Sequence, residues 1–219
     1  MDNETSDEAL IRGARGLGVA LEAGAATLLG RFTGELLRWN QKVNLTAITR
    51  PDEVLEKHLL DSLALVPEVT AARSLLDLGA GAGFPGLPLA VALPRLEVTL
   101  VDAAAKKVGF LKHVVAQLGL APRVRAVHAR AEGRPDQEGL SRSEVVVSRA
   151  LAEPARWLAL AAEYLAPGGR ALVMTARPLG PDESARLAAA TGLKLAAERS
   201  YTLPFSRAPR AVAVFQRPK

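Results

Sequence analysis

The sequence has no cysteine, which excludes disulfide scaffolds, thiolate zinc sites, iron–sulfur clusters and every mechanism that needs a thiol nucleophile. Aromatic side chains are scarce, with five Phe, two Tyr and two Trp among 219 residues. Stacking on a nucleic-acid base therefore rests on few candidates, such as Trp39, Phe84 and Phe205. Long apolar runs are missing too. The longest uncharged stretch, Leu78 to Pro94, is interrupted by four Gly and three Pro, so it is no membrane helix. The opening residues Met1 to Glu8 are acidic and polar, the opposite of a secretory n-region. A cytoplasmic chain with no membrane partner and no metal ligand set is expected.

What is present is the composition of a folded globule, 49% hydrophobic and 23% charged, long enough for one medium domain with an appendage. The net charge of +5 is a gradient. Residues 1–30 carry two basic and five acidic groups, whereas residues 143–219 carry eleven and six. Such a basic excess attracts polyanions, nucleic acid first, because neutralised phosphates release counterions.

The first 70 residues read as helices. Leu28, Leu29, Phe32, Leu36, Leu37 and Trp39 recur at helical spacing, and Thr49-Arg50-Pro51-Asp52-Glu53 opens a second helix that Pro67 is expected to end. From residue 74 short apolar runs alternate with helical patterns. Strands are expected at 74–78, 97–101, 124–128, 144–148, 170–174, 194–202 and 211–216, and helices at about 86–93, 104–118, 154–165 and 181–191. Strand–helix alternation of this kind means parallel strands with crossover helices, hence a doubly wound α/β sheet. The last two strands have only the turn-rich link Leu203 to Pro209 between them and are expected to pair antiparallel at the end of the sheet. The composition shift near residue 73 divides the chain into a helical cap, 1–73, and a sheet domain, 74–219.

The most informative stretch is Asp77-Leu78-Gly79-Ala80-Gly81-Ala82-Gly83-Phe84-Pro85-Gly86, a buried strand running into a glycine turn. Gly81-x-Gly83-x-x-Gly86 matches a dinucleotide fingerprint, while Asp77-x-Gly79-x-Gly81-x-Gly83 resembles the S-adenosylmethionine loop of class I methyltransferases. Register favours the second, because the strand ends at Leu78 and Gly79 makes the first turn. A carboxylate at Asp77 would repel pyrophosphate but suits a sulfonium or ammonium. Asp102, 25 positions on, ends the next strand where a carboxylate can accept both ribose hydroxyls; its bland role is a cap for the following helix. Ala131 and Glu132 follow the third strand, where an adenine would lie.

Residues ending the fourth strand face a methyl acceptor, and here they are Ser148-Arg149-Ala150. They lack the Asn/Asp-Pro-Pro-aromatic pattern of exocyclic-amine methylation, and pyrimidine C5 chemistry needs the missing cysteine. A ring nitrogen such as guanine N7 needs no general base, and catalysis there is positioning. Arg149 suits guanine O6, a phosphate or the cofactor carboxylate; its bland role is a salt bridge.

Together these residues resemble one family, the bacterial small-subunit (16S) ribosomal RNA guanine-N7 methyltransferase G family, also called glucose-inhibited division protein B. The resemblance is carried by Trp39-Asn40-x-x-Val43-Asn44-Leu45-Thr46, His58-Leu59-Leu60-Asp61-Ser62, the loop from Gly79 to Pro88, Asp102-x-x-x-Lys106-Lys107-Val108-x-Phe110-Leu111 and Ser148-Arg149-Ala150. It implies a class I methyltransferase fold, with a seven-stranded, mostly parallel sheet, one antiparallel strand and an N-terminal helical cap. The implied reaction takes a methyl group from S-adenosylmethionine, leaving S-adenosylhomocysteine, to N7 of guanine 527 in the decoding-region loop of 16S rRNA, free or in the 30S subunit. The chain is expected to be a monomer. By position, Asp77, Gly79, Gly81, Gly83, Phe84, Asp102, Ala131, Glu132 and Arg149 would bind the cofactor. Arg149, Asn44 and His58 would serve the catalytic site, and Lys106, Lys107 and Arg130 the RNA. Arg177 would stand in for a Lys-Gly that many members carry after the fifth strand. For His58 the bland reading is a helix-surface residue paired with Asp61. His113 and His128 have no motif support. Two other functions remain open, an NAD(P)-dependent oxidoreductase, for which no Tyr-x-x-x-Lys is present, and a non-catalytic S-adenosylmethionine-binding RNA module.

Overall fold

A computed structural model describes residues 5–149 and 153–219; Ala150 of the expected acceptor motif lies outside them. Seven strands form one sheet in the order β3-β2-β1-β4-β5-β7-β6. They are β1 (Ser74–Leu78), β2 (Glu97–Asp102), β3 (Val124–His128), β4 (Ser143–Ser148), β5 (Leu165–Thr175), β6 (Lys194–Thr202) and β7 (Pro209–Gln216). The first five pair in parallel, and β7 inserts antiparallel between β5 and β6. The class I architecture and the antiparallel end of the sheet are as the sequence suggested. The strand order reverses beside β1, so its carboxyl end is the topological switch point where such sheets bind ligands.

Alternation along the strands buries both faces. Leu75, Val98, Leu100, Val145 and Val147 pack toward α6 (Gly86–Ala92) and α7 (Ala105–Gln117). On the other face Leu76, Leu78, Val146 and Val173 pack toward α8 (Pro154–Tyr164) and α9 (Pro181–Thr191). The link from β3 to β4 has no helix. Glu138 folds this loop instead, accepting the Glu132 and Arg134 N–H groups on Oε1 and the Tyr164 hydroxyl on Oε2. Strand β5 begins at Leu165 rather than near residue 170, because Leu165 already pairs with Ser143 before a register shift.

The N-terminal helices share the core of the first face. They are α1 (Ser6–Gly16), α2 (Ala23–Asn40), α3 (Pro51–Val54), a π-helical turn (Leu55–Leu60), α4 (Asp61–Leu63) and α5 (Val66–Val69). Helix α1 starts with a capping box between Thr5 and Glu8, which satisfies two orphan N–H groups. Pro67 does not end a helix; it sits in the first turn of α5, where the missing N–H is not needed. The π turn is buried at every residue except Lys57, being held between α1, the sheet and the β6–β7 turn. Gly13 of α1 permits this, since a Cβ there would stand 2.5 Å from Leu60 Cδ1. Among the described residues no helix is long and apolar enough to cross a membrane.

Candidate active site

The glycine loop turns at the carboxyl end of β1. Gly83 has φ +95, and a Cβ there would lie 2.4 Å from Leu87 Cδ1, so the turn requires glycine on both counts. Asp77 is fully buried beneath the loop; its Oδ2 accepts the Gly86 N–H at 2.8 Å. Its Oδ1 has no partner. Burial pushes this carboxyl up to about 7, against the Gly86 N–H and the nearby Arg149 charge, which lower it. Asp77 lines neither cavity described below; it organises the loop from underneath.

Asp102 ties the second strand to the same loop. Its Oδ2 accepts from Gly81 N at 2.9 Å and its Oδ1 from Ala104 N at 2.8 Å. Asp102 is thus not the helix cap, since α7 starts at Ala105 behind Ala104 with no side-chain cap; it ties the loop to the turn before the helix, and each oxygen keeps a free lone pair.

Two cavities meet at Gly79 and Asp102. The larger, about 720 Å³, has walls from Val101, Ala129, Ala131 and Leu160, with Arg130, Glu132, Arg156 and Glu163 at its polar side. The smaller, about 290 Å³, is bounded by Leu45, Thr46, Gly81, Phe84, Lys107 and Arg149. Glu132 pairs with Arg134 at 2.5 Å, and its own N–H is taken by Glu138, so its backbone N–H is not available to a ligand. Lys106 is exposed on α7 and Arg177 is exposed beyond β5; neither lines a cavity. Arg156 and Thr46 border the cavities and are not among the expected site residues. Thr46 closes the Trp39–Thr46 motif, but only the fold shows which residue of that motif turns inward.

Arg149 extends from the end of β4 toward the cap. Its guanidinium carbon lies 5.1 Å from the Phe84 ring centroid, and Nη1 donates to Lys57 O at 3.0 Å. Burial works against its charge, while Asp61 and Asp77 support it. No direct salt bridge of Arg149 occurs among the described residues, so its bland role is not what the structure displays. His58 stacks on the same Phe84 ring at 4.5 Å. It is 5% exposed, not a surface residue, and does not pair with Asp61. Its Nδ1 faces Lys57 O at 3.2 Å and its Nε2 meets Thr46 Oγ1 at 2.9 Å. A carbonyl only accepts, so Nδ1 carries the proton and Nε2 accepts from Thr46. Burial first, then the Arg149 charge, lowers the His58 pKa to about 4, which keeps the ring neutral. Asp61 instead accepts from Tyr201 Oη at 2.8 Å and lies 3.6 Å from Arg210 Nε. Its pKa is raised by burial, which outweighs the Tyr201 hydrogen bond and the Arg210 charge.

Asn44 is exposed and lines neither cavity. The structural asparagine of that motif is Asn40, whose Oδ1 accepts from Leu45 N and Thr46 N and whose Nδ2 donates to Thr46 O. Trp39 packs on Phe110 and His113. Phe84 is covered by Phe32, His58 and Arg149. Of the three stacking candidates only Phe205 is exposed, at 38%.

The residues fit an adenosyl amino acid. Apolar walls in the larger cavity suit a purine, and Asp102 stands at the junction where a ribose would lie; Asp77, expected to touch the cofactor, is instead sealed beneath the loop, where it shapes the turn through the Gly86 N–H. This sheet order, with such a site at its switch point, defines a class I S-adenosylmethionine-dependent methyltransferase. The fold is shared with a putative O-methyltransferase from Klebsiella pneumoniae, at TM-score 0.55 and 15% identity over 85% of this chain and 90% of that one. TrmN from Thermus thermophilus aligns at TM-score 0.54 and 22% identity over 72% of this chain and 48% of that one. Residues 26–198 match the model of the rRNA small subunit methyltransferase G family, and the chain belongs to that family. Relatives named ribosomal RNA small subunit methyltransferase G are 56% identical in Myxococcus xanthus, over 98% of this chain and 99% of the relative. The one in Anaeromyxobacter dehalogenans strain 2CP-C is 53% identical over 96% and 97%.

Proposed function

We propose that this chain methylates N7 of guanine 527 in the decoding-region loop of 16S rRNA, free or in the 30S subunit. It acts as a cytoplasmic monomer, with residues 1–73 as the cap over a catalytic domain of 74–219. The carrying observation is Arg149, held over Phe84 on the wall of the smaller cavity, which meets the larger one at Gly79 and Asp102. The relatives' printed names support small-subunit rRNA as the substrate class.

When bound, S-adenosylmethionine supplies a methyl group activated by its sulfonium. Asp102 would receive the ribose hydroxyls, Ala131 and Glu132 would border the adenine, and Asp77 would keep the glycine turn in shape from beneath. Guanine N7 offers a free lone pair, so no side chain has to remove a proton before attack. His58 agrees with that chemistry, since its neutral ring has both nitrogens engaged and serves to hold Thr46 and the Phe84 stack in place. Arg149 donates to guanine O6 or to a phosphate and leaves N7 open, so the rate gain comes from positioning. Asn44, Lys106, Lys107, Arg130 and Arg177 contact the RNA around this point.

The test is tritiated methyl transfer to 16S rRNA lacking the modification, followed by mapping. A single 7-methylguanine at position 527 is expected; no transfer, or transfer elsewhere, would overturn the reading.

A further inference from the structure

The register of the sheet puts a second feature at the same edge as the active site. Thr175 at the end of β5 pairs with Ala211 near the start of β7, and Thr202 at the end of β6 pairs with Pro209. The β6–β7 turn therefore lies at the carboxyl edge of the parallel strands, on the side of β4 away from the adenine cavity. Helix α1 closes against this turn, with Gly16 beside Pro204. A cavity of about 420 Å³ opens between them, bounded by Arg12, Leu17, Tyr201, Pro204 and Arg207.

Arg12 and Arg207 make its wall basic and Tyr201 adds an arene, while Phe205 stands beside it, in contact with Arg12. The Arg12 guanidinium lies 4.8 Å over the exposed Phe205 ring, making a planar platform of cation and arene. Arg12 is one of only two bases in the otherwise acidic first 30 residues, and it is the one stacked on this turn. Arg207 is exposed, with no ion pair among the described residues, and its backbone sits at φ +59. A left-handed arginine is an unfavourable conformation that the surrounding turn has to impose. The turn is closed around Arg207 by Arg207 N to Leu203 O and Leu203 N to Ala208 O, and buried Glu56 braces it, its Oε1 accepting from both Phe205 N and Ser206 N. Glu56 belongs to the π turn that also carries His58 and the Lys57 carbonyl holding Arg149. The platform is thus anchored to the same turn as the candidate methyl-transfer residues.

We infer that Arg12, Phe205 and Arg207 form a second RNA-binding site, which takes an unpaired stretch of the substrate flanking the target guanine. One base stacks on the Phe205–Arg12 platform and one or two phosphates meet Arg207 and Arg12. Single-stranded RNA is the occupant whose chemistry matches an exposed arene between cations, because every base has a stacking face and every link a negative charge. The inference rests on the proposed rRNA substrate.

The test uses the full chain and two RNAs, a minimal hairpin with the target guanine and the same hairpin with its single-stranded flanks, in binding and methyl-transfer assays over a salt series. The wild type binds the flanked RNA more tightly. Phe205→Ala weakens that binding roughly tenfold, and Arg12→Ala with Arg207→Ala lowers the salt slope by about 1.4, two phosphates at about 0.7 each for single strands. Unchanged melting temperature and S-adenosylhomocysteine affinity certify the fold of each variant. Variants that keep the wild-type preference for the flanked RNA while the wild type methylates it overturn this inference alone. Affinity lost only for protein-containing 30S particles also overturns it, by giving the surface to a ribosomal protein. A wild type that methylates neither RNA nor 16S rRNA overturns the functional reading and this inference with it.

Discussion

The Arg149 guanidinium rests on the face of Phe84, 5.1 Å from the ring centroid, while its Nη1 donates to the Lys57 carbonyl. This pair ties the end of β4 to the glycine loop and, through Lys57, to the cap. Arg149→Ala should leave S-adenosylhomocysteine affinity within about tenfold, or about 1.4 kcal/mol. Turnover should fall by about a hundredfold or more, as expected for lost positioning. Arg149→Lys should recover little, because an ammonium lacks the planar fork that stacks and donates at once. Calorimetry and single-turnover transfer decide it; equal losses in binding and turnover would move Arg149 onto the cofactor.

Asp102 serves two backbone donors on two different elements, Gly81 N in the loop and Ala104 N before α7. Asp102→Asn keeps the shape but turns an NH₂ group toward one of those donors, so the loop loses an acceptor and gains a repulsion. Cofactor affinity should fall by about tenfold or more, in line with a charged hydrogen bond worth about 1.5–3 kcal/mol. Titration calorimetry with S-adenosylhomocysteine reads it directly, and an unchanged affinity would leave Asp102 as a brace of the backbone only.

Gly86 tests the close packing under the loop. A Cβ there would stand 2.4 Å from Leu100 Cδ2 and 2.8 Å from Asp77 Oδ2, and both neighbours are buried. Gly86→Ala should therefore destabilise the fold by about 1–3 kcal/mol, the usual cost of overpacking a filled core. Denaturant unfolding measures this, whereas Gly34→Ala, with nothing within 4 Å of the added carbon, should be neutral or better.

The sheet was legible because its signals are local. Alternation and glycine turns sit within one element or its end, and the 25 residues from Asp77 to Asp102 span a single strand–helix–strand unit, so the strands and the cofactor loop follow from the sequence. The cap was less legible. The π turn and the α4 turn that follows bring Glu56, His58 and Asp61 to three different partners, Phe205, Thr46 and Tyr201. Two of those lie about 140–150 positions away, and helical spacing alone suggested a surface His58–Asp61 pair. Asn44 and Asn40 show the same limit, since a motif gives the residues but only tertiary packing chooses which one faces the site. Charge misleads in the same way. Arg123 and Arg217 belong to the basic gradient, yet both spend their guanidinium groups on backbone carbonyls inside the fold.

Two buried groups of the site titrate with opposite consequences for stability. His58 has its pKa lowered from 6.5 to about 4, so its contribution is complete above pH 6.5 and is lost as the pH falls toward 4. Asp77 has its pKa raised from 3.8 to about 7, so its contribution is complete below 3.8 and is lost as the pH rises toward 7. Between pH 4 and 6.5 the two slopes, each up to about 1.4 kcal/mol per pH unit, oppose one another. Relative to wild type, His58→Gln should lose melting temperature as the pH rises through this window, and Asp77→Asn should gain it. Asp77→Asn should also be the more stable protein at pH 8, since it keeps an acceptor for Gly86 N without a buried charge. The same variant should bind S-adenosylhomocysteine about as well as the wild type across this range, because Asp77 reaches neither cavity. Melting curves and calorimetry across pH 4–8 test both halves, and parallel profiles for all three proteins would refute the opposed titrations.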